Sequence, residues 1–234
     1  GQLALNRNNY LIAEVAKSSF NDAGNVTSEE DLIKKAFDLK IHSNEAYSLK
    51  LFSEYPQTNT RFKAYYRKTG ENFQSFNLYP LNVNQDAWMA GINQYFLKKR
   101  LTVDAAIRKN DFTSPIAAPS SSNSQIFKSL QVTLRIPKYP FISFGYYPTS
   151  QLSVSSNNIL TENLYNTMNA IISHSYLFKG TGMNTNAVFT KFYNRGSDTG
   201  FIYFNATNWT INQSAFLGKL TLQSSASLST EANF

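Results

Sequence analysis

The sequence has no cysteine and only two histidines, and these shortages exclude several kinds of site. Without cysteine there is no disulfide framework, no thiolate metal centre and no thiol nucleophile. The two histidines, His42 and His174, have no partner at metal-ligand spacing. Because catalysis by an imidazole requires a second, oriented group, we predict neither a metal-binding nor a catalytic role for them.

Enzyme motifs are absent as well. The chain has no Gly-x-Ser-x-Gly nucleophile elbow, no P-loop and no dinucleotide-binding fingerprint. Its run of carboxylates from Glu29 to Asp31 falls where the pattern predicts the solvated start of a short helix in a loop. We therefore predict that the protein is not an enzyme and uses no cofactor.

Long hydrophobic runs are also missing. None approaches the roughly 18 apolar residues of a transmembrane helix, whereas a transmembrane β-strand needs only about 9–11 alternating residues. The net charge of +7 is dispersed, with its tightest cluster at Lys98 to Arg100, so no nucleic-acid partner is predicted. The chain begins at Gly1 without Met or a signal peptide, which indicates a processed chain or a fragment.

Aromatic residues are abundant, with 18 Phe and 14 Tyr, although the mean hydropathy is −0.35. The clearest pattern starts at Leu130, where apolar residues alternate with polar ones as far as Ile136. This period of two places all the apolar side chains on one face of a strand. A turn at Pro137 to Pro140 and an aromatic stretch at Phe141 to Tyr147 then predict a β-hairpin.

Residues 1–234 are predicted to form a single all-β domain, in which a loop at 21–36 carries a short helix. Three polar stretches are predicted as further loops: Asn110 to Ser124, Ser150 to Asn158, and Arg195 to Gly200. The predicted strands are Tyr10 to Phe20, Phe37 to Ile41, Tyr47 to Leu51, Arg61 to Lys68, one within Phe73 to Val83, Trp88 to Phe96, Leu101 to Ile107, the hairpin pair, Asn163 to Phe178, Ala187 to Tyr193, Phe201 to Ile211 and Leu220 to Ser229. Residues 164–172 are also compatible with a helix.

Short basic turns alternate with long polar loops, as in an up-and-down barrel in an outer membrane. The expected fold is therefore an antiparallel transmembrane β-barrel with about 10–14 strands in this chain. This count places the two termini on opposite sides, so the chain is part of a larger barrel or one strand between residues 37 and 83 is miscounted. The candidate residues for an aromatic girdle at the membrane interface are Tyr95, Phe96, Tyr139, Phe141, Tyr176, Phe178 and Phe216.

Charged residues on the polar sides of two predicted strands are candidates for a barrel lumen. Rings of charge in such positions tune the selectivity of pores. These candidates are Arg61, Lys63, Arg67, Asp104 and Arg108. The alternative is that they are solvated structural charges.

Two segments resemble outer-membrane β-barrels of the Bacteroidota. The first runs from Phe76 to Val103 and continues to Asp111; it contains Gln85-Asp86 ahead of one strand and the turn Phe-Leu-Lys-Lys-Arg-Leu-Thr. The second is the hairpin from Leu134 to Pro148. The resemblance implies a bacterial outer-membrane location, contact with outer-membrane lipid, and partners among outer-membrane or periplasmic proteins. Some barrels of this group accompany type 9 secretion and gliding.

Three functional hypotheses follow. The first is a structural or transport component of the outer membrane, as a subunit of a larger protein-secretion assembly. The second is a porin-like channel that works alone, with a basic lumen that favours anionic solutes. The third is a secreted, soluble β-sandwich that stacks sugars on exposed aromatic residues such as Trp209.

Overall fold

The computed structural model describes residues 1–6, 8–18, 44–71, 73, 84–114, 121–154, 160–196 and 204–233. These residues form twelve β-strands, each hydrogen-bonded antiparallel to the next, in one sheet of order β1 to β12. The strands are β1 (Gln2–Asn6), β2 (Asn9–Lys17), β3 (Glu45–Tyr55), β4 (Thr60–Thr69), β5 (Asn84–Phe96), β6 (Leu101–Ser114), β7 (Ser121–Leu134), β8 (Phe141–Val154), β9 (Leu160–Phe178), β10 (Thr181–Gly196), β11 (Phe204–Leu217) and β12 (Leu220–Asn233). The predicted antiparallel, up-and-down all-β fold is confirmed.

The hairpin predicted around Leu130 is confirmed as β7 and β8, joined by residues 135–140. Turn chemistry explains another of the short connections. Lys179 and Gly180, which join β9 to β10, both have positive φ angles, 49° and 83°. Two-residue hairpin turns favour this conformation because its twist matches that of the strands, and glycine adopts it without a steric cost.

Register divides the side chains between two faces, because residues paired across neighbouring strands point the same way. The apolar face is defined by one row of paired residues that crosses β7 to β12: Val132, Phe144, Ala170, Phe189, Trp209 and Leu228. The polar face is defined by the adjacent row: Gln131, Gly145, Asn169, Thr190, Asn208 and Ser229.

The described strands form a single layer, so no second sheet covers the apolar face. Among the described apolar residues, only Ala87 and Ala206 are buried. Large apolar side chains such as Ile142, Ile172 and Trp209 are exposed on the apolar face. The β-sandwich hypothesis is therefore wrong for the described chain. The described residues include no helix with the length and hydrophobicity needed to span a membrane.

Among the described strands, β1 pairs only with β2 and β12 only with β11, so this sheet has two open edges. Strand β1 begins, and β12 ends, at the end of the sheet that carries the long connections. The expectation of termini on opposite sides is wrong, because β1 was missing from the predicted strands. Its five residues are too few to show a clear alternation.

Two predicted loops are largely strand. Strand β6 continues to Ser114 and β7 starts at Ser121, so the predicted loop from Asn110 to Ser124 shrinks to residues 115–120, which lie outside the described residues. Strand β8 likewise continues to Val154 within the second predicted loop. The ends of β6 and β7 are mainly polar on both faces, so the sequence shows little alternation there, and backbone pairing extends them. The end of β8 does alternate, with Leu152 and Val154 on the apolar face.

Strand β9 runs without interruption through residues 164–172, so the helical alternative for that segment is wrong. Several predictions lie outside the described residues: the loop helix within 21–36, the strand at 37–41, and all but Phe73 of the stretch from 73 to 83. Strand β10 extends to Gly196, and the rest of the loop predicted from Arg195 to Gly200 also lies outside them.

Candidate functional site

The polar face has a charged half and a neutral half. In the described part of β2 to β6, five cations and three carboxylates point to this face: Lys50, Arg61, Lys63, Arg67, Arg108, Glu14, Glu54 and Asp104. In β8 to β11 the described polar face carries mainly Asn, Ser and Thr, and no ionisable acid or base other than tyrosine. The candidate site lies in the charged half.

Two adjacent rows of paired residues build this site. The first row crosses β3 to β7 with Phe52, Lys63, Gly91, Ala106 and Ser129. The second row crosses the same strands with Glu54, Arg61, Asn93, Asp104 and Gln131. Small residues in the first row thus lie directly beside charged and amide side chains in the second.

This contrast in side-chain size produces a depression of about 560 Å³. Ala106 and Ser129 lie at its floor, and the polar walls come from Arg61, Asn93 and Asp104. A Cβ atom on Gly91 would lie 3.3 Å from the Cβ of Ala106 and 3.4 Å from the Cε of Lys63. The lysine stem therefore packs closely over Gly91, and the missing side chain at this position lets the stem lie there and positions the amine at the depression.

The charges at the depression differ in how far they are neutralised. Arg61 donates to the Glu54 carboxylate across a 3.0 Å contact, and its guanidinium carbon lies 5.9 Å from the centroid of the Tyr95 ring. Asn93 donates a hydrogen bond to the Asp104 carboxylate. Within the described part of the chain, Lys63 makes no ion pair, and its side chain is exposed. The exposed ammonium of Lys63 therefore shares the depression with the Asp104 carboxylate, with amide groups and with an aromatic ring, an arrangement that suits a hydrated polar solute.

The structure brings together three of the five predicted lumen charges. Arg61, Lys63 and Asp104 line the depression. Arg67 and Arg108 share the polar face but are held elsewhere: Arg67 donates to the Gln85 side chain at 2.8 Å, and Arg108 stacks on an aromatic ring in β7. All five point to one face, and the assignment of that face to a lumen remains a proposal.

Sequence reasoning missed the floor of the depression and its amide walls. Gly91 interrupts an aromatic-rich strand, and this was the one local signal, because a glycine within a strand often marks a close approach. Ala106, Asn93 and Gln131 gave no signal of their own, since only the register aligns them with Lys63 and Arg61.

The seven candidate girdle aromatics do not share one face. Alternation places Phe96, Tyr176 and Phe178 on the apolar face, and Tyr139 lies in the turn between β7 and β8. The other three, Tyr95, Phe141 and Phe216, point to the polar face. Two of these three rings make cation–π contacts: Arg61 lies over the Tyr95 ring, and Arg135 lies over the Phe141 ring.

Histidine and carboxylate chemistry is sparse in the described chain. His174 stacks on Tyr176 with 5.4 Å between ring centroids, and His42 lies outside the described residues. Nowhere in the described ranges do three or more His, Asp or Glu side chains gather in a geometry that could hold a metal ion.

No protein-family model matches the chain, and no curated protein matches its sequence. Solved structures do match its fold. The FrpB iron transporter from Neisseria meningitidis, as the F5-1 variant apoprotein, superposes with a TM-score of 0.54 and 11% identity over 81% of this chain and 40% of FrpB. The F3-3 variant gives a TM-score of 0.52 and 9% identity over 81% of this chain and 41% of FrpB.

The chain thus spans about two fifths of the length of the FrpB chains that it matches. The β domain of the Bordetella autotransporter BrkA superposes more weakly, with a TM-score of 0.35 and 12% identity. This superposition covers 81% of this chain and 86% of that domain. At these identities the likeness concerns the fold alone. The chain has the antiparallel, up-and-down fold that forms the wall of outer-membrane β-barrels.

Proposed function

We propose that this chain forms part of the wall of a bacterial outer-membrane transport barrel, in which hydrophilic solutes pass along the polar face. The supporting observation is the alternation along the strands of one sheet, which gives an exposed, mainly apolar face and a polar face that bears the depression at Lys63. Strands of transmembrane barrels alternate in this way between lipid and a wet lumen. The proposal assigns the chain no catalytic role.

Anions are the class of solute that the depression favours. Lys63 is unpaired among the described residues, and the described cations of the charged half outnumber its carboxylates by five to three. Lysine and arginine at a constriction favour anions in pores. The amide groups of Asn93 and Gln131 add hydrogen-bonding groups for the polar remainder of such a solute.

Permeation measurements on the protein reconstituted in lipid vesicles test this proposal. We expect uptake of a small carboxylate to exceed that of an amine of equal size. Lys63→Gln should reduce this preference and Lys63→Glu should reverse it. Lys219→Gln is the matched control, because it removes the same charge from the turn between β11 and β12 and should leave the preference unchanged.

Absence of permeation in a correctly inserted protein would contradict transport. Equal preference in the wild type, Lys63→Gln and Lys63→Glu would contradict the role of Lys63 while leaving transport itself intact. Heat-modifiable mobility on gels and resistance to extraction without detergent establish insertion separately.

A second candidate function is a subunit of a larger protein-secretion assembly. The open edges of the described sheet, at β1 and β12, favour it, because unpaired strand edges do not persist in contact with lipid. Further strands, from this or another polypeptide, are then needed to complete the barrel. Copurification of outer-membrane or periplasmic partners in mild detergent would support this candidate, and a closed, solitary barrel would count against it. The resemblance to outer-membrane barrels of the Bacteroidota, some of which accompany type 9 secretion and gliding, is a second reason to propose this candidate.

A further inference from the structure

A second, shallow groove of about 360 Å³ is lined mainly by residues whose side chains the register points to the apolar face, away from the polar depression. Ala90 and Ala105 form its floor, and Phe62, Ile92 and Ile107 form its sides. Pairing explains the shape: Phe62 opposes Ile92, and Ile92 opposes Ala105, so larger side chains flank the small ones. The groove is lined almost entirely by apolar atoms, and its size and shape suit a hydrocarbon chain.

Lys128 stands at one end of this groove. It is the register partner of Ile107 and points to the apolar face, one position beyond the apolar series Leu134, Val132 and Leu130 on β7. The order of these residues places Lys128 toward the end of the sheet that carries the long connections. It marks the point on β7 where the apolar band first gives way to a charge.

The lysine is exposed and makes no ion pair among the residues that the structure describes. Lys109 lies diagonally opposite on β6, and its ammonium is 2.7 Å from the Asp111 carboxylate. Trp88 pairs with Lys109 on the same face. A tryptophan beside lysines at the edge of an apolar band is typical of the level of lipid headgroups. Asp86 pairs with Asp111 on this face, and Lys68 pairs with Asp86. The three ammonium groups of Lys68, Lys109 and Lys128 therefore outnumber the two carboxylates and leave a positive charge for an anion.

We propose that this groove and Lys128 form a binding site for a membrane lipid that carries a phosphate group, with the phosphate at Lys128 and an acyl chain over Ala90 and Ala105. The inference rests on the proposed membrane location of the barrel. A free anion would gain nothing from the apolar groove, and an uncharged lipid would gain nothing from the ammonium. A lipid with a phosphate next to its acyl chains uses both parts of the site.

Native mass spectrometry of the protein in detergent micelles tests the site with three added probes: phosphatidylglycerol, diacylglycerol and inorganic phosphate. We expect retained phosphatidylglycerol and little retention of the other two. Lys128→Gln should lower phosphatidylglycerol affinity by about fivefold, the effect of one lysine near an anionic lipid. Ala105→Leu should lower it as well, because the added side chain fills the groove.

Matched controls separate the site from general effects. Lys138→Gln removes a lysine from the turn between β7 and β8, at the opposite end of the sheet, and should leave retention unchanged. Ala187→Leu enlarges an alanine on the apolar face of β10, away from the groove, and should also leave it unchanged. Both are expected to keep the heat-modifiable mobility of an inserted barrel.

Unchanged phosphatidylglycerol retention in Lys128→Gln and Ala105→Leu would overturn the site, as would equal retention of diacylglycerol or inorganic phosphate. A protein partner covering the groove, detected by crosslinking from a photoreactive residue at position 105, would overturn it too. If the wild-type protein fails to insert into membranes at all, the proposed function fails together with this site, and the mobility assay identifies that outcome.

Discussion

Arg108 lies over the ring of Phe127, with its guanidinium carbon 4.4 Å from the ring centroid, and the two residues are directly paired across β6 and β7. Both point to the polar face, where an unpartnered phenyl ring would be in contact with water. We expect Arg108→Gln to lower the free energy of unfolding by about 1 kcal/mol, because the stacked cation is lost. Urea unfolding in lipid vesicles measures the change.

A double-mutant cycle with Phe127→Leu isolates the contact. The cost of Arg108→Gln should shrink in the Phe127→Leu background, since the cation then has no ring to stack on. An equal cost in both backgrounds would show that Arg108 stabilises the sheet by some other route.

Tyr147 folds back over Gly145 on the polar face of β8. A Cβ atom on Gly145 would lie 2.6 Å from the tyrosine ring and would also collide with the Asn169 side chain. We expect Gly145→Ala to destabilise the protein by about 1–3 kcal/mol, because both side chains must move. Thermal unfolding followed by circular dichroism checks this.

The double variant Gly145→Ala, Tyr147→Ser tests the cause. With a small residue at 147 the contact with the ring is gone and only the collision with the Asn169 side chain remains, so the additional cost of Gly145→Ala should fall. Gly182→Ala is the matched control: the nearest atom to its Cβ would be 3.6 Å away, in the Phe216 ring, and that space accepts a methyl group. A loss at Gly182 equal to that at Gly145 would point to backbone effects instead of the ring.

The basic turn between β5 and β6 holds three consecutive residues at positive φ: Leu97 at 51°, Lys98 at 56° and Lys99 at 68°. This conformation costs an L-residue roughly 1–2 kcal/mol and is worst for β-branched side chains. Lys99→Val should therefore lower the free energy of unfolding by about 1–2 kcal/mol, whereas Lys99→Gly should not lower it. Comparison of urea midpoints for the two variants checks the prediction. Similar losses in both would mean that the lysine side chain, and not its backbone, stabilises the turn.

Alternation made the middle of most of the described strands predictable from the sequence, with β1 as the exception. At Leu101 to Ile107 and Leu130 to Leu134 one face is apolar and the other polar, so the residue types record the two environments directly. The polar ends of β6 and β7 show no such alternation of apolar and polar residues. Their strands are fixed by backbone hydrogen bonds, to which Asn, Ser and Thr contribute no distinctive pattern.

The charged residues of the candidate site were predictable from the same alternation, whereas its floor was not. Arg61, Lys63 and Asp104 are polar residues in alternating strands, so their common face follows from the sequence. Ala106 and Ser129 become a floor only because the pairing of β6 with β7 aligns them. Register depends on turn geometry and on pairing along whole strands, and no single strand specifies it.

The absence of cysteine allows the assignment of faces to be tested with single labels. Gln131 and Val132 are neighbours on β7, yet the register points them to opposite faces. In lipid vesicles, Gln131→Cys should react with a charged, water-soluble maleimide, while Val132→Cys should be protected by acyl chains. Both should react after unfolding in urea, which confirms that each thiol is intact. Equal rates for the two in vesicles would contradict a lipid-facing apolar surface, and faster labelling at 132 would reverse the assignment of the two faces.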